Sequence, residues 1–293
     1  MIKISKFNKG ILSSSIGSFW WGVFGTYYFQ YISFVGTIEV VAHRCIWTTV
    51  ILIITTTIFN KWKLIINIFL DKKKLFILFI TGLLIFSNWS IWIYAVATNR
   101  IIDASFGYFI FPIISVFFGF IFFKEKLNKK RIISILLVII ATFYLLLNFD
   151  SLPWIGLAVA SLWSIYNLLR KKIDVETDIG LLIESFFILP IAIVIFYFIF
   201  KNNFNDFSLI NPSLSFLLIL AGPMTVIPLF LYIKGVENSG LGPSGMIFFI
   251  TPTGQFLLGF FYYNEPFSTH KFLSFILIWI AVSVYLKDLY ENN

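Results

Sequence analysis

The chain alternates between long apolar runs and short polar connections. Ten runs of about twenty residues fall over roughly 10–34, 37–59, 74–97, 104–123, 132–149, 153–170, 178–200, 212–233, 242–263 and 270–287. A helix rising 1.5 Å per residue needs about 20 residues to cross the ~30 Å hydrocarbon core of a bilayer. The pattern therefore predicts an all-α, polytopic membrane protein with ten transmembrane helices. Several connections are only a few residues long, which forces sequence neighbours to run antiparallel. The longest polar ones, around 60–73 and 200–211, read as loops or short interfacial segments, and none leaves room for a soluble domain. The amino-terminal stretch is basic, as in a signal peptide. The run behind it is long, aromatic and without an Ala-x-Ala site, so it is expected to be a retained first span.

One run breaks the apolar rule. The second carries Glu39, His43 and Arg44 near its start. Ionisable groups in a span cost several kcal/mol unless they find a partner or water, so they usually face a bundle interior. Glu39 and His43 are four apart and share a helical face, with Arg44 about 100° round. The cluster is the first candidate site. The alternative is interfacial, with Glu39 in the first turn and Arg44 snorkelling to head groups.

Composition narrows the function classes. The chain is 59% hydrophobic and 12% charged, with mean hydropathy +0.92, whereas a soluble globular protein carries roughly twice that charge. The net charge of +8 could suggest nucleic acid, but the basic residues lie in the connections. With a cytoplasmic amino terminus, eighteen Lys and Arg fall on the cytoplasmic side. Arg100, Lys201 and Lys271 fall opposite, and Arg44 remains within a span. This positive-inside bias predicts a multi-pass bacterial inner-membrane protein with both termini cytoplasmic. A single cysteine, two histidines (His43 and His270) and Asp confined to loops argue against a thiolate or His/carboxylate metal site and against a Ser/His/Asp triad. No Gly-rich phosphate loop is present. An enzyme is not expected, nor is a metal or a cofactor.

The two halves resemble each other. At a shift of 140 residues Pro112 meets Pro252, Gly119 meets Gly259, Glu125 meets Glu265, Arg131 meets Lys271, Ser134 meets Ser274 and Ala141 meets Ala281; more loosely, near 145, Glu39 meets Glu184. Units 1–149 and 150–293 would each hold five spans. Because five is odd, the second copy must cross in the opposite sense, which gives two inverted five-helix repeats around a central cavity. In the fourth span Ser105, Tyr108, Pro112, Ser115 and Gly119 share a face, and Gly245, Phe248, Pro252, Gln255 and Gly259 repeat the spacing in the ninth. The third span presents Thr81, Asn88, Trp92 and Asn99, and the first presents Ser14, Ser18, Trp21, Gly25 and Tyr28. Trp163, Tyr166 and Asn167 cluster in the sixth, before the basic stop 170–172. Trp and Tyr at span ends form interfacial belts, the reading given to Tyr28 and Trp154. Trp21, Trp92 and Trp163 lie deeper, where they could stack on a ligand or attract a cation.

Several of these stretches are similar to a known family: 39–44 (EVVAHR), 88–96 (NWSIWIYAV), 103–112 (DASFGYFIFP), 124–126 (KEK), 166–172 (YNLLRKK), 252–258 (PTGQFLL) and 264–268 (NEPFS). In this order they resemble the RarD family of EamA-type carriers, within the drug/metabolite transporter superfamily, over all ten spans. The resemblance implies an inner-membrane carrier of small metabolites, with the fifth and tenth helices peripheral.

The expected function is secondary transport of a small organic metabolite, amino acid-like, an amine or another amphipathic or cationic compound, by alternating access. Glu39 or His43 would bind a coupling proton, and Arg44 would add charge for recognition. Glu184 would act at the inner gate. Trp21, Trp92, Tyr108, Trp163, Tyr166 and Phe248 would line the pocket, with Asn88, Asn167 and Gln255 orienting the ligand. The alternative is a structural or regulatory membrane subunit. Expected partners are the small-molecule substrate and the lipid bilayer, with room for a homodimer and no role for nucleic acid.

Overall fold

A chain this apolar must satisfy its backbone hydrogen bonds within each segment, and the described residues do so entirely with helices. The structure, a computed structural model, describes residues 5–98, 101–147, 153–262 and 269–292. The expectations on Asn99, Arg100 and 264–268 lie outside the described residues, as do those on the side chains of Asp103, Ser105, His270 and Lys271.

Helix α1 (Lys6–Trp20) starts where the Ser5 side chain accepts the Asn8 amide. It continues through a π turn, Trp21–Gly25, into α2 (Thr26–Tyr31) as one rod. Next come α3 (Thr37–Ile58), the short α4 (Trp62–Leu70), α5 (Lys72–Ala97), α6 (Ile101–Phe123) and α7 (Lys129–Leu146). The second half holds α8 (Trp154–Lys172), α9 (Thr177–Lys201), α10 (Pro212–Ser239), α11 (Leu241–Ile247), α12 (Ile250–Phe261) and α13 (Thr269–Asn292). Asn128 caps α7, and Asn211 caps α10 with Pro212 at its first turn. Gly240, at φ +104°, supplies the left-handed link that ends α10 and begins α11. Among the described residues six helices are long and apolar enough to cross a membrane: Thr37–Ile58, Lys72–Ala95, Phe106–Phe123, Thr177–Lys201, Pro212–Ser239 and Phe272–Glu291.

Four helices of the second half begin 140 residues after a counterpart: Thr37 and Thr177, Lys72 and Pro212, Ile101 and Leu241, Lys129 and Thr269. This register corrects the looser pairing near 145. Helix starts match Glu184 with Arg44, each the eighth residue of its helix, and not with Glu39. α13 also runs further than expected, so Asp288 sits in a helix and not a loop. There it accepts bonds from Asn128 Nδ2 (2.7 Å) and Arg131 Nε (2.8 Å).

Large apolar side chains such as Phe117, Phe120, Ile140, Val194 and Phe216 are exposed on the outer faces, as a lipid solvent allows. Inside, one core joins α3, α5, α8, α9 and α10 around the centre. A second joins α6, α7 and α13 at the side, where α7 packs on α13. The paired positions Ser134/Ser274 and Ala141/Ala281 are fully buried in these two helices.

Candidate functional site

The central cavity begins at the π turn. The Thr26 amide reaches back to the Trp21 carbonyl, and Thr26 Oγ1 donates to the same oxygen at 3.0 Å. Gln255 Nε2 in turn donates to Thr26 Oγ1 at 3.2 Å. Single π turns inside α-helices are frequent at functional sites because they re-aim side chains, and here the turn carries Trp21 and Gly25 into the cavity wall. Close approach of backbones makes this possible: a Cβ on Gly22 would lie 2.7 Å from the Thr251 carbonyl, and one on Gly254 3.0 Å from Gly22.

Phe29 completes the contribution of the first rod. Arg44 enters from α3, Asn88, Trp89 and Trp92 from α5, Tyr108 from α6 and Trp163 from α8. Phe248, at the joint of α11 and α12, closes the wall with Thr251 and Gln255. The cavity leaves about 50 Å³ for the centres of water-sized molecules, so an organic ligand would have to spread its walls. Rings dominate its floor. Phe248 lies 4.9 Å from Phe111, 5.2 Å from Tyr232 and 5.5 Å from Tyr108, and Trp21 meets Trp163 edge-on at 5.5 Å. Asn88 Nδ2 donates to the Val159 carbonyl at 3.0 Å and fixes α5 to α8.

Arg44 is the sole charged residue lining this cavity among the described residues. It is 4% exposed. Its Nε donates to Thr225 Oγ1 at 2.9 Å, and its guanidinium carbon sits 4.6 Å from the Phe29 ring centre and 4.7 Å from that of Trp89. Among the described residues no carboxylate forms an ion pair with it.

Eight of the thirteen predicted residues line the cavity: Trp21, Arg44, Asn88, Trp92, Tyr108, Trp163, Phe248 and Gln255. The other five form two separate groups. Glu39 accepts the amides of Asp206 (2.9 Å) and Phe207 (3.0 Å), tying the start of α3 to the connection before α10. His43 Nδ1 accepts from Trp47 Nε1 at 3.1 Å, so the neutral ring carries its proton on Nε2, 3.6 Å from Glu39 Oε1. Its ring packs against Phe196 and Phe207 and is turned away from Arg44's cavity. Burial, and then the neighbouring Glu39 charge, pushes the Asp206 carboxyl above its ordinary value.

The second group lies between α5, α8 and α9. Glu184 accepts from Thr81 Oγ1 at 2.7 Å and from Tyr166 Oη at 3.1 Å, and Arg170 Nε stands 3.4 Å from its Oε1. All are buried. Arg170 also donates to the Thr177 carbonyl at 3.2 Å, and a side chain at Gly180 would overlap its guanidinium. Tyr166 stacks on Trp163 at 5.3 Å, and Asn167 Nδ2 donates to the Trp163 carbonyl at 2.7 Å. Arg170, placed by sequence in a basic stop, is thus a buried ion-pair partner. Four wall residues were not among the thirteen. Gly25 shares the Trp21 stripe, while Phe29, Trp89 and Thr251 carry no polar spacing that marks them.

A bundle of apolar helices around an aromatic cavity, whose charged wall residue has no ion-pair partner among the described residues, fits a membrane transporter. Residues 8–147 match the EamA-like transporter family. An uncharacterized transporter of Vibrio cholerae is 31% identical over 96% of this chain and 92% of its own length. Protein RarD of Escherichia coli K12 is 32% identical over 96% and 94%. One solved crystal structure superposes with a TM-score of 0.69 over 95% of this chain and 97% of the other; at 14% identity it shows the fold alone. The chain belongs to the RarD group of EamA-like transporters: it is a bacterial membrane transporter and not an enzyme.

Proposed function

We propose that the protein carries a small amphipathic organic molecule across the inner membrane by alternating access, with two inverted repeats, 1–149 and 150–293, rocking about the aromatic cavity. The observation that carries this reading is that both halves build the wall, Trp21, Arg44 and Trp92 from one, Trp163, Phe248 and Gln255 from the other. Relative motion of the halves must then reshape the site.

Helix packing supports the symmetry. α1 packs on α10 as α8 packs on α5, α3 on α10 as α9 on α5, and α6 on α8 as α11 and α12 on α1. The self-paired contacts are α3 with α9, α6 with α11 and α7 with α13. Exchange of this kind is what a two-fold axis in the membrane plane produces. Ten crossings follow when the interrupted rods α1–α2 and α11–α12, together with α7 and α8, join the six uninterrupted spans. The basic-residue bias supports cytoplasmic termini. Glu39 and His43 are assigned to clamping the connection before α10. Loss of all response to a pH gradient in Glu39→Gln or His43→Ala flux would return them to a proton-coupling role.

A substrate-independent test uses a Cys45→Ser background with Gln255→Cys in the cavity wall. Membrane-impermeant thiol reagents should label that cysteine from either face of sealed vesicles. Labelling confined to one face, with and without ligand, would sink alternating access.

A further inference from the structure

We infer that the ligand of this cavity is an organic anion, a compound with a carboxylate-like group for Arg44 and an apolar ring for the surrounding indoles. The inference rests on the cavity's being the transport site. A guanidinium offers five N–H donors in a planar fork that matches a carboxylate. Among the described residues only Nε is engaged, by Thr225 Oγ1, which fixes the fork without neutralising it. Buried charges in proteins are paired or bind ions, because an uncompensated one is costly to desolvate. Arg44 has no such partner among the described residues, although Arg170, equally buried, has Glu184. The missing counter-charge is what an anionic ligand would bring.

The same geometry disfavours the cationic ligand expected from the aromatic content. The ring faces of Phe29 and Trp89 are already taken by the Arg44 guanidinium, no carboxylate among the described residues lines the wall, and a second cation would share a low-dielectric space with the first. Trp21, Trp92 and Trp163 remain to hold an apolar body.

The test compares three probes with one ring and three head groups: 3-phenylpropanoate, 3-phenylpropanamide and 3-phenylpropylamine. Binding is read by thermal stabilisation of the detergent-solubilised full chain. The acid should bind about 30-fold or more tighter than the amine, the scale expected for a desolvated charge pair, with the amide between them. Arg44→Gln should erase the acid's advantage. Arg44→Lys, which keeps the charge but loses the planar fork, should retain part of it. Should Arg44→Gln not fold, the wild-type ranking still decides. Equal binding of the three, preference for the amine, or stabilisation by none at millimolar concentration would overturn the inference. Proteoliposome flux separates it from the carrier reading. Acid-selective binding without flux overturns transport and leaves the anion site, whereas flux that favours the amine overturns the anion site and leaves transport.

Discussion

Arg44 and Glu184 occupy the same place in their helices, seven residues beyond Thr37 and Thr177, yet their surroundings differ. Glu184 is met by Arg170, Thr81 and Tyr166, so its charge is compensated within the protein. Arg44 is met by one hydroxyl and two ring faces, so among the described residues its charge remains uncompensated. The difference separates structure from function. A buried charge whose partner is built in holds helices together, whereas one without a partner among the described residues is what the proposed anion site rests on.

The largest effect should come from breaking the built-in pair. Arg170→Met leaves Glu184 in the interior with two hydroxyl donors but no counter-charge, which should cost about 3–5 kcal/mol. Unfolding in detergent can be followed by maleimide reaction of the buried Cys45. Adding Glu184→Leu to Arg170→Met should recover most of the loss, because two apolar side chains can replace an ion pair at little net cost. A double variant as unstable as the single one would show that Arg170 acts through something other than Glu184.

The same substitution at the other site should have the opposite character. Arg44→Met abandons no carboxylate among the described residues, so melting should be unchanged or raised while binding of 3-phenylpropanoate falls about 30-fold. If Arg44→Met melts as early as Arg170→Met, Arg44 has an internal partner and the contrast between the two regions fails.

This contrast was only partly legible in the sequence. Run lengths gave most helices within a few residues, since spanning length is a hard constraint, although α10 and α13 run past their expected ends and the run 242–263 divides into α11 and α12; four helix starts fall at the 140-residue shift. Spacing also told which residues share a face. It could not tell which face turns inward, because in lipid every face is apolar. Glu39 and His43 were therefore grouped with Arg44, although α3 turns them toward Phe196 and Phe207. Trp89 carries no signal for the same reason, as an indole beside Asn88 reads equally well as lipid-facing. Arg170 was hidden by its neighbours, since a basic triplet at a span end already has an explanation in topology. The available signal was Glu184, whose burial demanded a cation within reach.

A smaller loss is expected at Glu39, whose carboxylate holds two backbone amides. Glu39→Gln replaces charge-assisted acceptors with a neutral group that can accept at one atom only, at a cost of about 1–2 kcal/mol. Hydrogen exchange should quicken at Asp206 and Phe207 and stay unchanged around Arg44. Altered probe binding in this variant would place Glu39 back with the cavity.

The finest division of the two regions runs through Tyr166, whose ring stacks on Trp163 in the cavity wall while its hydroxyl donates to Glu184. Tyr166→Phe keeps the stack and removes the bond. Glu184 would retain Thr81 and Arg170, so the loss should be about 1 kcal/mol, the usual net worth of a single hydrogen bond. Because the wall ring keeps its neighbour, affinity for 3-phenylpropanoate should change less than about twofold, below 0.5 kcal/mol. A tenfold change would mean that the ion pair sets the position of Trp163, and that the paired charge takes part in binding through the stacked rings.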